Sequence, residues 1–292
     1  MFFFYVIVFH IYALPFGISY NISYSISKYF LIFLLVIFEL WGIIVMVISV
    51  NKIDNLISMI NECNNIVVFT GAGVSTESGI PDFRSKDGLY NMKYSYPPEE
   101  ILSHSFFVNN PEEFYRFYRD KLNVLDKEPN IVHNTLKRME DMGKVRGIIT
   151  QNIDGLHEKS GSRNVVTFHG SVYSNHCIKC SKFYPAEEVF NSTGVCKCEC
   201  TGIIKPDVVL YEEEIPSDVL RNSTEMIAKC DMLLVLGTSL TVYPASGLIN
   251  YFRGKYLVIV NRDTTSYDNR ADLVINMGLK EVFEMIDNYF KV

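Results

Sequence analysis

Five short, largely apolar runs, each closing on small or polar residues, constrain this chain more than any other feature. Ile66 to Phe69 ends at Thr70-Gly71, and Val145 to Ile149 ends at Thr150-Gln151-Asn152. Val165 to Phe168 ends at His169-Gly170, Met232 to Leu236 at Gly237-Thr238-Ser239, and Tyr256 to Val260 at Asn261. A shorter run, Leu273 to Ile275, follows. Runs of this length without alternation read as strands buried on both faces. Helical patterns lie between them, at 53–62, Pro111 to Leu122, His133 to Met142 and Lys280 to Tyr289. Strands alternating with helices predict an α/β fold, a doubly wound parallel sheet, which binds ligands at the carboxyl ends of its strands.

The first fifty residues are different. They hold only two formally charged side chains, Lys28 and Glu39, so the net charge of −6 belongs to residues 51–292. An acidic balance excludes a broad basic footprint for nucleic acid. Tyr29 to Val50 is long enough for a bilayer, which takes about 20 apolar residues. Phe2 to Ile18 has no basic leader and contains His10 and Pro15, so it is a poor signal peptide. Two expectations follow for residues 1–50: a membrane anchor, or translated upstream sequence with Met46 as the start. A membrane enters the reading only through this segment, and the catalytic domain is expected at 51–292 in the cytoplasm.

Two insertions break the alternation. Residues 85–130, rich in aromatics and charges, predict a small helical module. Residues 171–215 hold five of the seven cysteines and predict a metal module. Cys177-x2-Cys180 and Cys198-x-Cys200 are spaced like two zinc knuckles, and four thiolates leave tetrahedral zinc no open position. The site is therefore expected to be structural. Cys196 competes with Cys198 for the third ligand position, whereas His176, adjacent to Cys177, is poorly placed to add another. Cys63 and Cys230 read as small core residues.

The turn Gly71-Ala72-Gly73-Val74-Ser75-Thr76-Glu77-Ser78-Gly79 follows a strand and is expected to open a helix whose N-terminus favours a pyrophosphate. Thr76 stands where a dinucleotide fingerprint has its third glycine. The continuation Ile80-Pro81-Asp82-Phe83-Arg84 reads as a lid over the nicotinamide end. Gln151, Asn152 and Asp154 gather amides and a carboxylate past one strand, and His169 puts an imidazole at the end of another, a candidate general base. His104, His133 and His157 have no such placement and read as packing or capping residues.

Taken in order, GAGVSTESGIPDFR at 71–84, TQNIDGLH at 150–157, FHG at 168–170, the cysteine pairs, IKPDVVLYEE ending at Glu213, LGTSL at 236–240 and VIVN at 258–261 resemble the sirtuin family of NAD-dependent protein-lysine deacylases, in its bacterial form. The likeness covers essentially all of 51–292. It implies a Rossmann-like large domain and a small lobe formed by the zinc module and the helical insertion. NAD and an acyl-lysine protein or peptide enter the cleft between them from opposite sides, and one zinc is held in the small lobe.

Site roles come from the same resemblance. Gly71, Ala72, Gly73 and Thr76 line the phosphate loop, and Asp82, Phe83 and Arg84 belong to the cofactor lid. Gln151 and Asn152 face the ribose, while Ile153 and Asp154 hold the nicotinamide carboxamide. His169 is the base. Gly237, Thr238 and Ser239 bind phosphate and ribose, and Asn261 reaches the adenosine ribose. Val208-Val209 offers backbone to the substrate as an added strand. The activity implied is removal of acetyl or a similar neutral acyl group, giving nicotinamide, acyl-ADP-ribose and free lysine. Succinyl-preferring members carry Tyr and Arg three residues apart, where this chain has Tyr115 and Tyr118 with Arg116 and Arg119 nearby.

Mono-ADP-ribosyl transfer in the same pocket is the alternative, and an NAD oxidoreductase a weaker one. Hydride transfer gives no reason for the zinc module, and no acidic residue is clearly placed to grip the adenosine ribose.

Overall fold

The computed structural model describes residues 36–37, 50–82 and 96–291. The chain divides into two units, Met1–Val50 and Asn51–Val292. Among the described residues, no helix is long and apolar enough to cross a membrane. Met46 and the candidate span Tyr29 to Val50, apart from Val36, Ile37 and Val50 itself, lie outside them.

A six-stranded, all-parallel sheet forms the large lobe. Its strands are β1 (Ile66–Thr70), β2 (Val145–Thr150), β3 (Val165–Thr167), β7 (Met232–Leu236), β8 (Tyr256–Val260) and β9 (Leu273–Ile275), in the order β3-β2-β1-β7-β8-β9. All six expected runs are strands. The order reverses between β1 and β7, and such a switch point opens a crevice beyond the strand ends.

Strand periodicity decides which helix covers which face. Ile66, Val68, Leu234, Leu236 and Val258 pack on one side with residues of the helix at 50–62 (α1), α5 (Ile131–Asp141) and α9 (Leu279–Phe290). Val67, Phe69, Leu233, Val235 and Ile259 pack on the other with α8 (Ser217–Lys229) and the 3-10 segment Ala245–Tyr251. Each fully buried aliphatic side chain contributes about 1.5–3 kcal/mol relative to exposure. Both faces are thus closed, which is why the strands read as continuous apolar runs. Cys63 and Cys230 are buried in these two cores.

The small lobe is built from both insertions. A three-stranded antiparallel sheet, β5-β4-β6, comprises β4 (Gly170–Cys177), β5 (Phe183–Pro185) and β6 (Ile204–Val208). Against it pack α2 (Pro98–Ile101), α3 (His104–Asn109), α4 (Pro111–Lys121) and α7 (Ala186–Phe190). Phe106, Phe114, Tyr115, Phe117, Tyr118 and Phe190 fill one core with Val172, Val208 and Leu210.

One local expectation is corrected. The glycine turn opens no α-helix: Ala72–Val74 and Thr76–Ser78 are single 3-10 turns. Gly79 then turns left-handed at φ 78°, and Pro81 has no N–H with which to extend a helix. Any anion held here meets turn amides, not an α-helix N-terminus.

Candidate active site

Two glycine loops meet at the switch point. The Gly73 N–H donates to the Gly237 carbonyl at 2.9 Å, and Gly71 donates to Leu236 at 3.0 Å. A Cβ on Gly73 would stand 2.8 Å from Gly237 Cα, so a side chain here would force apart the ends of β1 and β7. Gly237 also sits at φ 58°, where only glycine is unstrained.

Beyond these loops lies a cavity of about 650 Å³. It is lined by Gly71 to Glu77, Gln151 to Asp154, His169, Val208 to Glu213, Gly237 to Ser239 and Asn261. Asp82 also lines it. Every expected cofactor residue therefore shares one cavity, apart from Phe83 and Arg84, which lie outside the described residues.

Ser75, which the sequence marks only as one member of the glycine motif, is a hub of this site. Its buried hydroxyl donates to Asp154 Oδ2 at 2.6 Å and accepts from Asn152 Nδ2 at 3.1 Å. Asp154 Oδ1 also accepts the Leu156 N–H at 2.9 Å. Burial raises the Asp154 pKa, against the lowering effect of its bonds to Ser75, Leu156 and Asn152. Thr76, by contrast, turns its hydroxyl back to the Gly73 carbonyl at 3.1 Å. Lying within the glycine motif was the only signal Ser75 gave; its partner is 79 residues away.

Gln151 ties the β2 end to the β7 loop, donating from Nε2 to Thr238 Oγ1 at 3.0 Å. Its carbonyl stands 3.1 Å from His169 Nδ1. A carbonyl only accepts, so the neutral ring carries its proton on Nδ1 and leaves Nε2 with a free lone pair. Burial lowers the His169 pKa, and the bond to Gln151 partly opposes that, so the neutral, basic ring is favoured at pH 7. The backbone is anchored too: the Val209 N–H donates to the His169 carbonyl at 2.9 Å. Gly170, at φ 77°, allows that contact, because a Cβ there would overlap the Asp207 carbonyl. Asn261 closes the far end, its Nδ2 donating to the Asp263 carbonyl at 2.8 Å.

The cysteines separate cleanly. Cys177, Cys180, Cys198 and Cys200 place their sulfurs within 4.8 Å of one another, with pairs at 3.4 and 3.5 Å. A tetrahedral zinc with bonds of about 2.3 Å needs sulfurs about 3.8 Å apart, so the set fits the ion. Cys196 turns away, 2.8 Å from Ser192 Oγ and 3.7 Å from Arg119. His176 is occupied with Asp207 at 2.6 Å. None of the four cysteines lines the cavity.

The segment carrying Tyr115 and Tyr118 does not face the cavity. Both rings are buried in the small lobe, Tyr118 stacking on Phe190 at 5.1 Å. Arg116 pairs with Glu113, and Arg119 reaches Ser192 and the Gly194 carbonyl.

The model of the Sir2 family matches residues 71–244, which span both glycine loops and the cysteine cluster. The chain belongs to the Sir2 family. Among curated relatives, the NAD-dependent protein deacetylase of Clostridium perfringens is 53% identical over 236 residues, covering 80% of this chain and 97% of that protein. The protein of the same name from Clostridium acetobutylicum is 50% identical over 240 residues, covering 81% and 98%. Among solved structures, a Sir2 with p53 peptide and NAD+ superposes with a TM-score of 0.74 at 37% identity, covering 82% of this chain and 98% of that one. A Sir2 with deacetylated p53 peptide and 3′-O-acetyl ADP ribose gives 0.76 at 37%, with the same coverage. The parallel sheet, the order of its strands and the four-cysteine cluster of this Sir2 chain agree with that membership.

Proposed function

We propose that this Sir2 protein removes acetyl, or a similar neutral acyl group, from protein lysines at the expense of NAD, releasing nicotinamide, acyl-ADP-ribose and free lysine. One observation carries the reading: His169 presents an unprotonated Nε2 in the cavity that also contains both glycine loops and the buried Ser75–Asn152–Asp154 cluster. NAD, when bound, supplies the ribose carbon that exchanges nicotinamide for the acyl oxygen. His169 Nε2 takes a proton from the ribose diol, so that a ribose oxygen can attack the acyl carbon; the bond from that carbon to the lysine nitrogen then breaks, and one water supplies the oxygen that completes acyl-ADP-ribose. Ile153 and Asp154 hold the carboxamide, and the Ser75 bond fixes that carboxylate before the reaction begins. Favouring a strained leaving group over the ground state is differential binding.

Gly71, Ala72, Gly73, Thr76, Thr238 and Ser239 hold phosphates and ribose, Gln151 and Asn152 face the reacting ribose, and Asn261 takes the adenosine ribose. Asp82, Phe83 and Arg84 cover the cofactor. Val208 and Val209, which line the cavity, offer backbone to the substrate, with the Val209 N–H already given to the His169 carbonyl and the Val208 carbonyl already accepting from Lys205 Nζ at 3.0 Å. A neutral acyl group is supported by Arg116 and Arg119, neither of which faces the cavity; Lys121, which does, stands 3.1 Å from Asp120. Zinc held by Cys177, Cys180, Cys198 and Cys200 would cross-link the small lobe and supply no chemistry to the reaction. Thiols gathered for a metal also support a reducing, cytoplasmic setting for the domain at 51–292.

The test is incubation with NAD and an acetyl-lysine peptide. Deacetylated peptide, nicotinamide and acetyl-ADP-ribose in equal amounts are expected. Nicotinamide release with ADP-ribose attached to protein, and the peptide still acetylated, would replace this reading with ADP-ribosyl transfer.

A further inference from the structure

Two buried histidines stand behind the cofactor loop, and the reaction described above uses neither. His133 lies on α5, and His157 on the short helix α6 (Leu156–Lys159) that follows Asp154. Their ring centroids are 4.8 Å apart. His133 Nδ1 accepts the Asn130 backbone N–H at 3.3 Å. The neutral ring must then carry its proton on Nε2, and that N–H is buried without a partner. His157 Nε2 stands 3.2 Å from Thr70 Oγ1, and His157 Nδ1 is likewise buried without a partner. Adjacent rings are thus left with one donor and one acceptor site, complementary when His157 donates to Thr70. Burial holds both rings neutral: it lowers the His133 pKa to about 4 and that of His157 well below its usual value.

What the pair connects gives it a role. Asn130, besides capping α5, donates from Nδ2 to the Val74 carbonyl at 2.8 Å and to Ser78 Oγ at 3.0 Å. Thr70 is the last residue of β1, immediately before Gly71. One end of the pair therefore holds the middle of the glycine loop, and the other holds its origin. His157 is also two residues past Gly155, on the segment that presents Asn152 and Asp154 to Ser75.

We propose that His133 and His157 are positioning residues for the cofactor end of the site: the Asn130–His133 and His157–Thr70 bonds are in place, and a small turn of the packed rings that brings the partnerless His133 Nε2–H onto His157 Nδ1 joins them in a one-directional relay from Asn130 to Thr70. The relay fixes the loop Gly71–Gly79 against the segment Asn152–Asp154 from behind, as the Ser75 bonds do from the front. It rests on the reading of this cavity as an NAD site. A buried hydrogen bond left half-made costs on the order of tenfold in an equilibrium constant. Here that cost falls on NAD binding, since an unbraced loop has to be ordered when the cofactor is seated.

The experiment compares the wild-type protein with His157→Phe, His157→Gln and Thr70→Val. NAD affinity is measured by calorimetry, melting temperature by circular dichroism, and KM for NAD and kcat with an acetyl-lysine peptide. His157→Phe and Thr70→Val are expected to weaken NAD binding and raise its KM about tenfold, while kcat changes less than about threefold. His157→Gln, whose amide keeps a donor for Thr70 and an acceptor for His133, is expected to restore affinity to within about threefold. Nitrogen NMR of the imidazoles is expected to show both rings neutral with the proton on Nε2.

The relay is overturned if the Phe and Val variants melt earlier but bind NAD as tightly as wild type, or if the His157 proton is found on Nδ1. Should His157→Phe fail to fold, Thr70→Val and the NMR decide alone. A wild-type protein that binds NAD but never deacetylates overturns the functional reading and leaves the relay measurable by affinity. One that binds no NAD overturns the reading of the cavity, and with it the positioning role.

Discussion

The six-stranded sheet and the three-stranded lobe are ordered by different means. In the large lobe, β1 and β7 are buried at every residue, and opposite sides of one sheet carry two separate apolar cores. Among the described residues the small lobe has three strands, of three, eight and five residues, and one core dominated by aromatic rings. So little sheet is marginal by itself, and the lobe's four-thiol cluster is where a metal would make up the difference. Burial supports the part proposed to bind the dinucleotide, and a metal cross-link would support the other.

The largest expected effect separates the two regions outright. Stripping the metal should melt the small lobe and abolish activity, since structural zinc is worth roughly 10–16 kcal/mol in zinc-finger peptides. Amides of β4 and β6 should then lose hydrogen-exchange protection while those of β1 and β7 keep it. Cys198→Ser should lose the ion and Cys196→Ser retain it by metal analysis; melting of both lobes together would break the comparison. Next comes His169→Ala, which should cost about 10²–10⁴ in deacetylation rate with NAD binding intact. A variant retaining a tenth of the activity would remove His169 from its role.

Leu234→Ala in the buried centre of β7 should cost about 2–5 kcal/mol of unfolding free energy, read by denaturant titration. It should leave the metal content at one ion per chain, because Leu234 packs in a different core from the thiols. The smallest effects are those of pH. Lowering pH should protonate His169 only below 6.5, so the acid limb of kcat/KM is expected beneath that value. His133 is neutral in the fold with a pKa of about 4 and ordinary when unfolded, so the unfolded state binds the extra proton between the two values. Stability should therefore fall as pH drops from 6.5 towards 4, and His133→Phe should flatten that slope.

Much of the large lobe was legible because its signals are local. Each buried strand is a continuous apolar run, and Gly71, Gln151, His169 and Gly237 stand at strand ends where the alternation itself predicts a ligand site. The cysteine pairs declared a metal by spacing, but spacing could not rank Cys196 against Cys198. Alternate residues of one chain segment differ only in which way they point, and the fold turned Cys196 towards Ser192 and Arg119. The expected helix after the glycine turn failed for a local reason that the sequence also carried, in Gly79 and Pro81.

Sequence alone determined the parallel sheet, the residues at its strand ends and the family to which they belong, because hydrophobic period and motif order are properties of the chain. Only the tertiary structure decided which groups touch. Ser75 meets Asp154 across 79 residues, Gln151 sets the tautomer of His169 across 18, and Asn130 reaches Val74 across 56. Hydrogen bonds need atoms within about 3 Å in a fixed direction. A linear sequence specifies neither that distance nor that direction until β1, β2 and β7 are laid side by side.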